Sequence, residues 1–228
     1  MVERYSFIIW MHSGELSALD YSNIICNISD LLNLFFGESV INFKAAYSKR
    51  TATPISMNRE NMLQEMEAAR RKRKDSVPLR FQYFSSLADD SSLGVQLSFD
   101  DLHFTSENII IIHFPIVCPQ IGENYQGLWH LFQAIINEAH PYYAFMSNSL
   151  DHRLSTTYWT TKPTYVHTFN YYANDTIELI GKRRLLREGN IEKTENGIFL
   201  KLLDEPLSIH NPSHLQIQEE ISKRLGLI

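Results

Sequence analysis

Two carboxylate pairs, Asp89-Asp90 and Asp100-Asp101, are the first residues in this chain with the type and spacing for chemistry. Paired aspartates can hold the divalent cation of a nuclease. A restriction-type nuclease also places a lysine one residue beyond an acidic ligand in a strand. The nearest approach to that pattern, IEKTENGIFLK (191–201), has no convincing aspartate upstream. The simpler reading is that both pairs bend the chain at β-turns, where aspartate side chains bond to nearby backbone.

His210 and His214 are four apart, the spacing of metal ligands on one helix face. Asn211-Pro212 between them marks a helix start and puts His210 outside it, and no third ligand is near, so zinc is not expected. Cys118 follows His113 by five residues, which by itself defines no nucleophile and base. The chain has no glycine-rich phosphate loop, no G-x-S-x-G elbow and no H-E-x-x-H helix. These patterns lead us to expect no catalytic residue, no cofactor and no metal.

Cations raise a different possibility. Arg70 to Lys74 is an unbroken row of five, and Lys182-Arg183-Arg184 is a shorter one. Upstream of the longer row, Asn58 can cap a helix, Glu60 suits its first turn, and Met62, Leu63 and Met66 form a narrow apolar stripe. The five cations then fall in the last turns, where exposed carbonyls favour positive charge. Glu67 precedes Arg70 and Arg71 by three and four residues, the favourable order for helix pairs. No aromatic residue is interleaved to stack a base. The row reads as a solvated helix end, not a nucleic-acid contact. Without it, 16 basic residues face 26 acidic ones, and the net charge moves from −5 to −10. Such a balance suits a cationic partner.

At 228 residues with 44% hydrophobic and 21% charged, the chain has the composition of one globular domain (1–228), with possible lobes at 1–105 and 106–228. Cys26 and Cys118 lie among apolar neighbours and read as buried thiols. The apolar run Tyr5–Met11, preceded by Glu3, is too short for a secretory signal, and no later run reaches the length of a membrane span. The expectation is a soluble cytoplasmic protein with neither nucleic acid nor membrane as partner.

The elements that must position these side chains alternate irregularly. YSFIIWM (5–11), LRFQYFSS (79–86), LGVQLSF (93–99), NIIIIHF (108–114) and PYYAFMS (141–147) read as strands, as do VINFKAAYS (40–48) and TYVHTFNYY (164–172). Tyr21, Ile24, Ile25, Ile28, Leu32 and Phe35 mark a helix ending at Gly37. Tyr125, Leu128, Trp129, Phe132, Ile135, Ile136 and Ala139 mark a second, with Leu128, Trp129 and Phe132 in the core. Asn196-Gly197 signals a type I′ hairpin. A last helix begins near NPSHLQ, where Ser213 and Gln216 have capping-box spacing. Strands mixed with helices out of strict alternation give an α+β class with mainly antiparallel sheets.

The C-terminal third carries a resemblance. FNYYANDTIELIGKRRLL followed by IEKTENGIFLKLLDEPLSIHNPSHLQIQEEISKRLGL resembles the immunity protein 52 family of bacterial polymorphic toxin systems. The shared pattern is an aromatic-Asn-Tyr-aromatic strand at Phe169–Tyr172, Ile180-Gly181, Leu185-Leu186 and a Gly-Ile-hydrophobic strand. It continues through Glu205-Pro206 and His214 to Leu225-Gly226-Leu227. A tryptophan often leads that strand in the family, where this chain has Phe169. The resemblance implies an antidote to a toxin of restriction-endonuclease-like fold delivered by type VI secretion, with no catalytic residue of its own. The alternative is a small hydrolase or nuclease using an acidic cluster. For an antidote, Asp89, Asp90, Asp100 and Asp101 are the candidate toxin-binding residues, presented by loops at strand ends. Toxin identity, interface and oligomeric state stay open.

Overall fold

Six consecutive residues of strand β1 (Tyr5–Met11) are buried, Ser6 to Met11, so this strand lies in the interior with both of its faces covered. It pairs antiparallel with β6 (Glu107–His113) on one side and with β7 (Tyr143–Asn148) on the other. The computed structural model from which this follows describes residues 3–12, 16–37, 41–45, 52–72, 79–85, 93–101, 107–151 and 163–228. The remaining strands are β2 (Phe43–Ala45), β3 (Thr53–Pro54), β4 (Leu79–Phe84), β5 (Gly94–Asp101), β8 (Phe169–Ala173), β9 (Ile191–Lys193) and β10 (Gly197–Lys201). All ten join one antiparallel sheet in the order β3-β2-β4-β5-β6-β1-β7-β8-β10-β9. The α+β class holds.

Two helices explain that order. Helix α1 (Ala18–Phe36) connects β1 to β2, and α4 (Tyr125–Ala139), entered through α3 (Pro119–Glu123), connects β6 to β7. A helical crossover returns the chain in the same direction, so in an antiparallel sheet it must pass over an odd number of strands. The first passes over β6, β5 and β4, and the second passes over β1 alone. β4, β5 and β6 fill the gap under the first crossover and β1 fills the gap under the second, so β1 is enclosed by two strands from 106–228.

Side-chain alternation feeds two cores. Phe7, Ile9 and Met11 enter a cluster with residues of α1, α2 (Arg59–Lys72) and α4. Ile8 and Trp10 enter a second cluster with residues of α5 (Asn174–Ile180), α6 (Lys182–Leu185) and α7 (Pro212–Leu225). An antiparallel sheet that shows one face to water alternates apolar with polar residues, as β4 does; at β1 and β7 both faces are covered and the strands are buried almost throughout.

Helix ends follow local chemistry. Ser17 and Asp20 form a reciprocal capping box at α1, and Gly37 closes it with a left-handed backbone at φ 78°. Asn58 caps α2 by accepting from the Asn61 amide at 2.9 Å. At α7 the cap is Asn211, which accepts from the Ser213 amide, with Pro212 in the first turn. This replaces the expected Ser213 cap, since a proline at the first helical position moves the boundary upstream. The β9–β10 hairpin forms, but not through a type I′ turn: neither Asn196 nor Gly197 has a positive φ. The Thr194 amide donates to the Gly197 carbonyl at 2.9 Å, and the Gly197 amide to the Thr194 hydroxyl at 3.1 Å. The turn is closed by a hydroxyl.

Candidate functional site

Of the four aspartates expected at loops, Asp89 and Asp90 lie outside the described residues. Asp100 and Asp101 are not in a turn: they end strand β5, and Asp101 sits opposite Glu107 after a register shift that follows Ser98. The β5–β6 pairing reaches Asp101 because ladder bonds between long adjacent strands outweigh the local turn preference of two aspartates.

The basic row is likewise split. Arg71 pairs with Glu67 at 2.8 Å on the exposed face of α2, as expected. Arg70 is half-buried instead: its guanidinium donates to the Leu16 carbonyl and lies 5.4 Å from the centre of the Tyr21 ring. A planar guanidinium can cover an aromatic face and a carbonyl together, and the approach of α1 supplies both. Residues 73 and 74 lie outside the described residues.

Carboxylates converge elsewhere, at the end of the sheet where β1 begins. Glu3 Oε1 accepts from the Ile209 amide at 2.8 Å and from the Ser208 hydroxyl at 3.0 Å. Its Oε2 lies 3.3 Å from the Tyr5 hydroxyl, which also reaches the Leu207 carbonyl at 3.2 Å. Asp204 and Glu205 project from the loop between β10 and α7, 89% and 69% exposed. Lys201 pairs with Asp204 at 2.9 Å and approaches the Tyr125 ring. Burial first, then the charge of Glu3, holds the Tyr5 phenol far above the ordinary tyrosine range. Burial first, then Asp204, does the same to Tyr125, whose hydroxyl donates to the Leu203 carbonyl at 3.1 Å. Both phenols remain protonated donors.

Serine, histidine and glutamate meet here, so a nucleophilic triad can be tested on geometry. The Ser208 amide donates to His214 Nδ1 at 3.1 Å. That nitrogen is therefore an acceptor, and the proton of the neutral ring sits on Nε2, which donates to Glu205 Oε1 at 3.0 Å. Neither ring nitrogen addresses the Ser208 hydroxyl, which is turned to Glu3. A triad needs the base on the nucleophile's oxygen. The cluster is a latch tying the start of β1 to the loop before α7. Among the described residues, no three His, Cys, Asp or Glu side chains converge as a metal site requires.

The Asn-Tyr strand resolves into packing. Phe169 joins an aromatic group with Trp129 at 4.9 Å, Tyr125 at 5.1 Å and Phe132 at 5.6 Å between ring centres. Asn170, one step along and on the opposite face, brackets His167: its Oδ1 accepts from the His167 amide at 2.8 Å and its Nδ2 donates to the His167 carbonyl at 2.7 Å. Gln218 of α7 donates to Asp151 at 3.0 Å and to the Val166 carbonyl at 2.8 Å. Sequence reasoning did not single out Glu3, Asp204 or Glu205 as site residues. The pair Asp204-Glu205 ahead of Pro206 carries the same signal as Asp89-Asp90 and Asp100-Asp101.

No model of a known protein family matches the chain, and no curated protein sequence matches it. Its fold is shared with the solved structure of a Pseudomonas aeruginosa T6SS protein, PA0821, at a TM-score of 0.66 and 11% identity. The likeness covers 98% of this chain and 73% of that one.

Proposed function

We propose that this chain is an immunity protein that binds and neutralises a cognate secreted toxin, a nuclease of restriction-endonuclease fold delivered by type VI secretion. The observation that carries the proposal is the fold likeness to a T6SS protein over nearly the whole chain. The resemblance of residues 169–227 to the immunity protein 52 family supports the finer reading. So does the net charge of −5, because a nuclease that grips nucleic-acid phosphates presents a cationic groove. Exposed carboxylates facing such a groove speed the encounter more than they tighten the complex. Asp204 and Glu205 join Asp89, Asp90, Asp100 and Asp101 as the proposed contacts, acting by occlusion in the cytoplasm without turnover or cofactor. A hydrolase built on Ser208, His214 and Glu205 is disfavoured by the hydrogen bonds that turn the serine away from the ring.

The test is co-expression with the toxin encoded beside it, followed by stopped-flow binding of purified partners across salt. Wild type protects cells and binds the toxin. Asp204→Lys, at an exposed position, slows association at low salt with an unchanged melting temperature. A wild type that neither protects nor binds would sink the immunity reading.

A further inference from the structure

Lys182, Arg183, Arg184 and Arg187 stand within six residues on a protein of net charge −5. They sit on and just beyond the short helix α6, which joins α5 at Gly181, where φ of 101° turns the chain. Arg184 is fastened from behind: its Nη1 donates to the Leu225 carbonyl at 3.2 Å and occupies the space a side chain on Gly226 would need. Lys182, Arg183 and Arg187 are exposed, and their side chains have no ion pair or hydrogen bond among the described residues. Leu179 and Leu186 flank them, 62% and 37% exposed, and Ile228, 47% exposed, follows two residues after Gly226. Two of the six large exposed aliphatic side chains among the described residues, Leu179 and Leu186, thus share one nine-residue stretch with these cations.

We propose that this patch rests on an anionic phospholipid surface, with Leu179 and Leu186 entering the headgroup layer while Lys182, Arg183 and Arg187 meet lipid phosphates. Charge complementarity selects an anionic occupant, and the leucines select one with an apolar layer beneath its charge. A nucleic acid would use the cations and leave the leucines in water, and Leu179–Arg187 has no aromatic residue to stack a base. A stable protein interface uses roughly 20–30 residues a side, more than twice what this patch provides, whereas a bilayer needs no matching contour. The contact is peripheral, since no described helix is long and apolar enough to cross a membrane. It departs from the sequence-based expectation of no membrane partner and is independent of the toxin-binding reading.

Vesicle co-sedimentation tests it, with the full chain against vesicles of phosphatidylcholine alone and of phosphatidylcholine mixed with phosphatidylglycerol. Wild type sediments with the mixed vesicles at low salt, stays in solution with the zwitterionic ones, and is released by high salt. Lys182→Glu/Arg183→Glu/Arg187→Glu lowers partitioning by about tenfold or more, since each exposed cation contributes to surface attraction. Leu179→Ser/Leu186→Ser weakens it with the salt dependence retained. Both variants change only exposed side chains, and unchanged thermal melting confirms their fold. Absence of wild-type sedimentation with the mixed vesicles overturns the proposal, as does equal sedimentation with both kinds or undiminished binding by the charge-reversed variant. Retention on immobilised DNA or heparin without vesicle binding would assign the cations to a polyanion instead and overturn it too.

Discussion

A β-carbon on Gly197 would lie 2.4 Å from the carbonyl oxygen of Tyr172 and 2.8 Å from the Tyr171 hydroxyl. Strands β8 and β10 meet at this spot, where the ladder runs from Gly197 opposite Ala173 to Lys201 opposite Phe169. The neighbour is backbone and cannot rotate away. Gly197→Ala is expected to cost about 2–4 kcal/mol, because the ladder must separate or shift to admit one methyl group. Gly189→Ala, with open space around the new carbon, is the matched control and is expected to stay within about 0.5 kcal/mol. Chemical denaturation of the two variants checks this, and equal midpoints would contradict the geometry.

Trp129 is a core residue with one polar tether. It is 2% exposed, stacks among Phe132, Phe169 and Phe199, and its indole N–H donates to Glu192 at 3.1 Å. Trp129→Ala is expected to cost about 3–5 kcal/mol by opening a cavity. Glu192→Ala, which leaves the packing and removes the indole's acceptor on edge strand β9 together with the exposed Gln133 bond at 2.6 Å, is expected to cost about 1 kcal/mol. Melting of both variants separates the packing from the hydrogen bond, and a Trp129→Ala protein that melts like wild type would refute the packing.

Arg70 and Arg71 are neighbours with different fates. Arg70→Gln loses a bond to the Leu16 carbonyl and the cover over Tyr21, and is expected to cost about 1–2 kcal/mol. Arg71→Gln loses an exposed pair with Glu67 and is expected to cost about 0.3 kcal/mol. Parallel urea titrations decide it; equal, small losses would restore the reading of a wholly solvated helix end.

Stability should fall in mild acid through His113. Burial, and secondarily the charge of Arg4, lowers its pKa from 6.5 to about 4, and the ring meets the Ser6 hydroxyl at 2.8 Å. The folded state thus holds the neutral ring while the unfolded chain binds a proton near pH 6.5. Its contribution is complete above that value and is lost as pH falls toward 4, by at most about 3 kcal/mol. Unfolding free energies at neutral pH and near pH 4.5 check this. His113→Leu is expected to show a smaller drop between the two conditions than wild type, and an identical drop would exclude His113 as the source.

Much of the local structure was written in the sequence, because its causes act within a few residues. The apolar runs at 5–11 and 108–114 supplied strands β1 and β6, the apolar spacing of Tyr125 to Ala139 became α4, and Gly37 and Asn58 bound their helices. The latch of Glu3 with Ser208, the half-burial of Arg70 and the true role of Gly197 were not legible. Each depends on which distant element arrives alongside, and the hydrogen bond from Ser208 to Glu3 spans 205 positions. Asp100 and Asp101 show the same limit from the other side: their own preference is for a turn, and the adjacent strand made them part of a ladder. Periodicity states which face of an element is apolar. Only the tertiary structure decides what covers it, because long-range pairing depends on the joint burial of many side chains and on no single residue's propensity.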